Sequence, residues 1–148
     1  MKLVVDANIV FSSLLRSDGI VGDVFFNSHP PLVLYAPELL REEITEHRAK
    51  LVKLSKRSPD IILELELLSL SRITFLNEGL ISTVSWTKAR DVMTGLDAND
   101  ENYVALAIHL GIPLWTGDRK LILGLRRRKF DLLVSTDELP NLLRKTNK

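Results

Sequence analysis

Short apolar runs recur along this chain. Between them lie longer stretches in which apolar residues return at helical spacing. The first run, Leu3-Val4-Val5, ends at a single acid, Asp6, followed by Ala7 and Asn8. A short run that is apolar throughout is the pattern of a strand buried on both faces, as in a parallel sheet under helices. Residues 9–15 continue apolar and predict a short helix, and Gly19 breaks it. Residues 21–27 predict a second helix, stopped by Ser28-His29-Pro30-Pro31, and residues 32–35 a second strand. Ala36-Pro37 is read as the start of a long helix, since proline is favoured in a first turn. Leu39, Leu40, Ile44, Leu51 and Leu54 carry its apolar face, with charges between them.

The alternation continues. Ser58 can cap and Pro59 can fill the first position of a third long helix over 61–70. Residues 73–76 predict a strand, Asn77-Glu78-Gly79 a turn, and 84–93 a helix ended near Gly95. Asp97-Ala98-Asn99-Asp100 opens a helix carried by Tyr103, Val104, Leu106, Ala107 and Leu110 and closed by Gly111. Residues 112–116 form a strand with Pro113 at its start, where no ladder donor is missed, and Gly117-Asp118 ends it. A helix over 120–125, a strand over 132–135 and a helix over 137–144 complete the chain. Strands alternating with helices imply a parallel α/β layer fold. There is no internal repeat, low-complexity stretch or clear linker.

Composition narrows the chemistry. The chain has 148 residues, which favours one domain, 1–148, with a real core. The absence of cysteine excludes disulfides, thiolate zinc sites and thiol catalysis. The three histidines, His29, His47 and His109, lack metal-binding spacing, and His47 and His109 read as surface or packing residues. A net charge of +1 predicts neither nucleic-acid nor membrane binding by itself, but Arg126-Arg127-Arg128-Lys129 is a basic cluster. That cluster is either a solvated face or an attractor of a phosphate backbone. No apolar run reaches transmembrane length and Asp6 interrupts any leader pattern, so a cytoplasmic protein is the expectation.

Acids recur at the edges of apolar elements: Asp6, Glu43, the pair Asp97 and Asp100, and Asp118. Asp6 and Asp118 both follow predicted strands. If those strands are neighbours in a parallel sheet, the acids converge at its carboxyl edge, where α/β proteins place functional groups. Converging carboxylates raise one another's pKa unless a cation intervenes. A hard divalent ion with oxygen ligands resolves this, and two such ions are a known solution to phosphodiester cleavage. Each acid also has a plainer reading. Asp6 can accept backbone N–H bonds from the next helix. Asp97 and Asp118 can be helix caps, Asp100 can favour a helix N-terminus, and Glu43 can belong to a solvated face.

Four motifs in this order, LVVDANIV, APELLREEI, DANDENYVALA and LWTGDRKL, resemble the PIN-domain family, and within it VapC-type toxin ribonucleases most closely. The resemblance spans about residues 1 to 136. It implies a three-layer α/β/α fold with a central parallel sheet. It also implies Mg²⁺- or Mn²⁺-dependent endonucleolytic cleavage of RNA. By matching position, Asp6, Glu43, Asp100 and Asp118 are the catalytic acids, with Glu42 the fallback if the helix register differs. Asp6, Asp97, Asp100 and Asp118 are the metal ligands, supported by Asn8 and Thr116. Arg119, Lys120, Arg126, Arg127 and Arg128 would guide the RNA backbone. The resemblance further implies a homodimer and a small antitoxin partner. The stretch 55–85 departs from the compact pattern by an added helix. Two rival readings stand beside this one. A receiver-like signalling domain needs an acidic cluster after the first strand, where only one acid is found. A non-catalytic PIN-like scaffold would bind RNA or a protein.

Overall fold

A computed structural model describes residues 1–16, 18–27 and 32–146. The predicted stop at 28–31, with His29, lies outside the described residues. Five strands, β1 (Lys2–Val5), β2 (Val33–Pro37), β3 (Ile73–Leu76), β4 (Leu114–Thr116) and β5 (Leu133–Ser135), form one sheet in the order β3-β2-β1-β4-β5. Every pairing is parallel. Eight helices are described: α1 (Ala7–Leu15), α2 (Ile20–Asn27), α3 (Leu39–Ser55), α4 (Pro59–Ser71), α5 (Thr83–Met93), α6 (Glu101–Leu110), α7 (Arg119–Arg127) and α8 (Leu139–Thr146). Single 3₁₀ turns, Glu78–Leu80 and Ala98–Asp100, precede α5 and α6.

The connections from β1 to β2 and from β2 to β3 step one way across the sheet. Those from β3 to β4 and from β4 to β5 step the other way. Right-handed crossovers therefore put the two sets of helices on opposite faces. Helices α1 to α4 pack with one another, and α5 packs with α6 and α7. Strand β1 lies between both layers, and Leu3, Val4 and Val5 are fully buried. This is why its sequence shows no polar alternation. Among the described residues, no helix is long and apolar enough to cross a membrane.

Pro37 corrects one expectation. It does not start a helix but ends β2, opposite Leu76 of β3. A strand end tolerates the missing proline N–H, and the ladder resumes at once, with Glu38 N–H donating to the Leu76 carbonyl at 3.1 Å. Helix α3 starts two residues later. Its N-cap residue, Glu38, makes no side-chain capping bond. Glu78, from the turn after β3, caps it instead by accepting from Leu39 N–H at 3.0 Å.

Helix α4 is built against the usual rule. Its sequence is rich in leucine, yet Leu63, Leu67 and Leu68 are exposed while Glu66 is buried. The Glu66 carboxylate receives two bonds from the Arg48 guanidinium of α3, at 2.8 and 2.5 Å. A forked pair of this kind satisfies a buried carboxylate and fixes α4 against α3. Removing Arg48 strands that charge. Arg48→Ala is expected to lower the unfolding free energy by about 2 kcal/mol, less than a fully buried pair costs because the Arg48 side chain is 41% exposed. Adding Glu66→Leu should recover most of the loss. Urea denaturation of the three variants checks this, and an unchanged midpoint for Arg48→Ala would refute it.

Candidate active site

The site begins with strand register. Val4 lies opposite Leu114 and Val5 opposite Trp115. One step further, Asp6 N–H still donates to the Trp115 carbonyl at 3.1 Å, which sets Asp6 beside Thr116. Strands β1 and β4 are the point where the strand order reverses, and the loops after them part to leave a crevice. Asp6 is only 3% exposed there.

Thr116 organises that edge. Its hydroxyl donates to Asp6 Oδ2 at 2.7 Å. The same oxygen accepts from Asp118 N–H at 3.1 Å and from Asn8 Nδ2 at 3.4 Å. Asn8 in turn accepts from Gly117 N–H at 3.4 Å through Oδ1. One buried hydroxyl thus ties the first turn of α1 to the turn after β4. Trp115 is wholly buried in the core, and its indole N–H donates to Thr136 at 3.1 Å.

Asp118 caps α7: its Oδ1 accepts from Lys120 N–H at 3.0 Å and Leu121 N–H at 3.3 Å. Asp97 caps the 3₁₀ turn before α6 through Asn99 N–H at 3.0 Å. The capping readings therefore hold for both residues, and each cap bond engages one carboxylate oxygen. Asp97, Asp100, Asp118 and Lys120 line one cavity of about 290 Å³ with Gly95, Leu96 and Leu121. Its rim is locked from below. A Cβ on Gly124 would meet the end of the Leu96 side chain at 2.6 Å, so a larger residue there would displace Leu96. Arg128 donates to the Thr94 carbonyl on the same rim.

Glu43 enters from the other helical layer. It is half-buried on α3, and its Oε1 accepts from the Tyr103 hydroxyl of α6 at 2.8 Å. Glu42 is exposed beside Arg41, Thr45 and Glu46, away from the other acids. His47 stacks on Phe11 and makes a 3.0 Å contact to the Glu43 carbonyl, and His109 accepts from Ser82 N–H at 3.2 Å. Arg119, Lys120 and Arg127 are exposed. Arg126 is paired with Glu138, and Arg128 is held by Thr94. Sequence reasoning counted Tyr103 only as an apolar carrier of its helix. Its place one turn after Asp100 was the available signal, because positions i and i+3 share a helix face.

The acids sense one another. Burial, opposed by the Thr116 hydroxyl and the Ala7 amide, and reinforced by Glu43 and Asp118, pushes the Asp6 carboxyl up to about 6. Burial together with Asp6, Asp97, Asp118 and Glu43 pushes Asp100 up to about 7. Burial also raises Glu43, while the Tyr103 bond opposes that rise. Every charged group that shifts Asp6 or Asp100 is another acid. The donor set is hard oxygen throughout, which suits a hard cation. Among the described residues, however, no three acidic or histidine side chains are gathered closely enough to hold a metal ion as they stand.

With this geometry in place, the comparisons identify the family. The chain matches the family model described as PIN domain over residues 4–139, and it belongs to the PIN domain family. No curated protein sequence matches it. Two solved structures share the fold. VapBC2 from Rickettsia felis, bound to a DNA fragment from their promoter, aligns with a TM-score of 0.66 at 13% identity, over 91% of this chain and 97% of that one. PAE2754 from Pyrobaculum aerophilum aligns with a TM-score of 0.66 at 18% identity, over 98% of this chain and 90% of that one.

The raised carboxyls set a pH dependence. In the unfolded chain an aspartate ionises near 3.8. Between about 4 and about 7 the folded protein therefore holds protons that the unfolded chain has released. Stability from this source is complete at the acid end of the window and is lost as pH rises through 6 to 7. The metal-free protein should melt higher at pH 5 than at pH 7.5. Asp100→Asn should raise the melting temperature at pH 7.5 by about 2–4 °C, for roughly 1 kcal/mol after allowing for partial exposure. A melting temperature that rises from pH 5 to 7.5 in metal-free protein would contradict this.

Proposed function

We propose that this chain is a divalent-metal-dependent endoribonuclease, acting as the toxin of a toxin–antitoxin pair. The observation that carries the reading is the pair Asp6 and Asp100 at the β1–β4 crevice, both raised by burial and by the neighbouring acids. Membership of the PIN domain family supports nuclease chemistry. The fold shared with VapBC2 supports a small antitoxin partner.

Asp6, Asp100 and Asp118 would hold Mg²⁺ or Mn²⁺, with Asp97 as a further ligand or outer acid. When bound, the ion supplies charge stabilisation at the phosphoryl group and a water of lowered pKa. Magnesium retains several waters, so carboxylates spaced around a common cleft can hold it partly through water. Glu43 would bind the ion or orient the attacking water. Thr116 fixes the Asp6 carboxylate directly, and Asn8 supports it by bonding Thr116 and the Gly117 N–H. Arg119, Lys120 and Arg127 are free to steer the RNA backbone. Arg126 and Arg128 first have to leave Glu138 and Thr94.

Asp6→Asn keeps an acceptor for Thr116 and removes the charge. It should lower RNA cleavage by roughly a thousandfold in Mg²⁺ or Mn²⁺ while circular dichroism stays unchanged. Full activity in that variant, or activity indifferent to EDTA, would overturn the nuclease reading. The wide spacing of the acids favours a second reading, a non-catalytic scaffold that binds RNA or a protein. Calorimetric titration of EDTA-treated protein with Mn²⁺ separates the two, because a scaffold gives no binding heat.

A homodimer is proposed with this function. Support comes from α4, where Ile61, Leu63, Leu67 and Leu68 are 43–60% exposed in one neighbourhood. Asp60 and Glu64 are exposed on α4, and Lys50 and Lys53 are exposed on α3, which packs against it. A twofold interface needs a patch that complements itself, and this surface mixes exposed apolar side chains with charges of both signs. Sedimentation velocity should show a dimer for the parent chain and a monomer for Leu67→Glu. A monomeric parent chain at tens of micromolar would refute the interface.

A further inference from the structure

We propose that Tyr103 is a positioning residue of the acidic site, fixing Glu43 on α3 at a set distance from Asp100 on α6. The inference rests on the metal-site reading above and deepens it.

Three observations carry it. Tyr103 is 1% exposed, so its ring is clamped by the core and its hydroxyl has one aim. That hydroxyl donates to Glu43 Oε1 at 2.8 Å, across 60 residues of sequence and between the two helical layers. Tyr103 also stands one helical turn after Asp100. The start of α6 thus presents Asp100, its N-cap, to the cleft and, through the Tyr103 phenol one turn on, holds Glu43. Glu43 lies on a long helix whose own first turn is capped only by the distant Glu78. Without the phenol, no described hydrogen bond restrains its carboxylate. With it, Oε1 is engaged and Oε2 remains as the oxygen free for a ligand.

A purely structural role is the competing explanation, since a buried tyrosine also packs. The two differ in what the lost hydroxyl does. Tyr103→Phe keeps the ring and removes only the bond. If Tyr103 positions Glu43, the loss appears in cation affinity and vanishes when Glu43 has no carboxylate to aim. Mn²⁺ binding to EDTA-treated protein, read from the free-ion electron paramagnetic resonance signal, covers affinities into the millimolar range. The parent chain, Tyr103→Phe, Glu43→Ala and the double variant form a cycle. Tyr103→Phe should weaken Mn²⁺ binding by about tenfold, as is usual when a group orienting a metal ligand is lost. In the Glu43→Ala background it should change binding by less than about twofold. Equal affinity of Tyr103→Phe and parent, or the same loss in both backgrounds, overturns the positioning role and leaves the metal site standing. No Mn²⁺ binding by the parent chain overturns the metal site and this inference together.

Discussion

The contact on which the rest depends is the 2.7 Å hydrogen bond between the Thr116 hydroxyl and the Asp6 carboxylate, at the ends of two adjacent parallel strands. A carboxyl that is 3% exposed sits where water cannot solvate its charge. One hydroxyl lowers the cost without removing it, and the carboxyl remains shifted toward its neutral form. The sheet forces this placement. Residue-by-residue pairing of β1 with β4 leaves Asp6 no position except against Thr116, and reversal of strand order at that seam denies it a covering helix. An unfavourable group is thus held by the most rigid part of the molecule, where Leu3, Val4, Val5, Leu114 and Trp115 are fully buried.

The surrounding acids are tied down by bonds that also make structure. Asp118 starts α7, Asp97 starts the turn before α6, and Glu43 links α3 to α6. Helix caps contribute about 1 kcal/mol each, so removing Asp118 costs fold stability, whereas neutralising Asp100 adds to it. The two substitutions, equal in charge, should part company in any stability measurement. This is the usual tension at a functional cleft, where groups held against their own preference are offset by the scaffold. Gly124 and Leu96 extend the same logic to the rim, where close approach of α7 fixes the loop carrying Asp97 toward the cavity.

Much of this was readable in the sequence because it rests on period and position. The buried strand before Asp6, the strand before Thr116 and the capping serine of α4 each carry a local pattern, and the structure has them. What failed to show was pairing across the fold. Pro37 looks like a helix start because local preference favours it. Its true place at the end of β2 is set by β3, some forty residues on. Several leucines of α4 are exposed while Glu66 is buried against Arg48, a partner on another helix that the local sequence does not reveal. Tyr103 looks apolar in a helix of alanines and valines, and only the approach of α3 gives its hydroxyl a partner. Periodicity reports which face of an element is buried, not which polar atom meets it there.

Electrostatics also accounts for the spacing of the acids. Carboxylates that face one another with no cation between them lower their energy in two ways: by separating or by taking up protons. The second is seen in the raised Asp6 and Asp100 carboxyls. A cation entering such a site displaces the shared protons as it binds, so affinity and pH are coupled. Below about 6, both aspartates are largely neutral, and protons compete with the ion for their oxygens. Above about 7, both are ionised and their mutual repulsion favours the ion. On the proposed metal reading, the same carboxyls that make the metal-free protein less stable at neutral pH would be the ones that attract a divalent ion there.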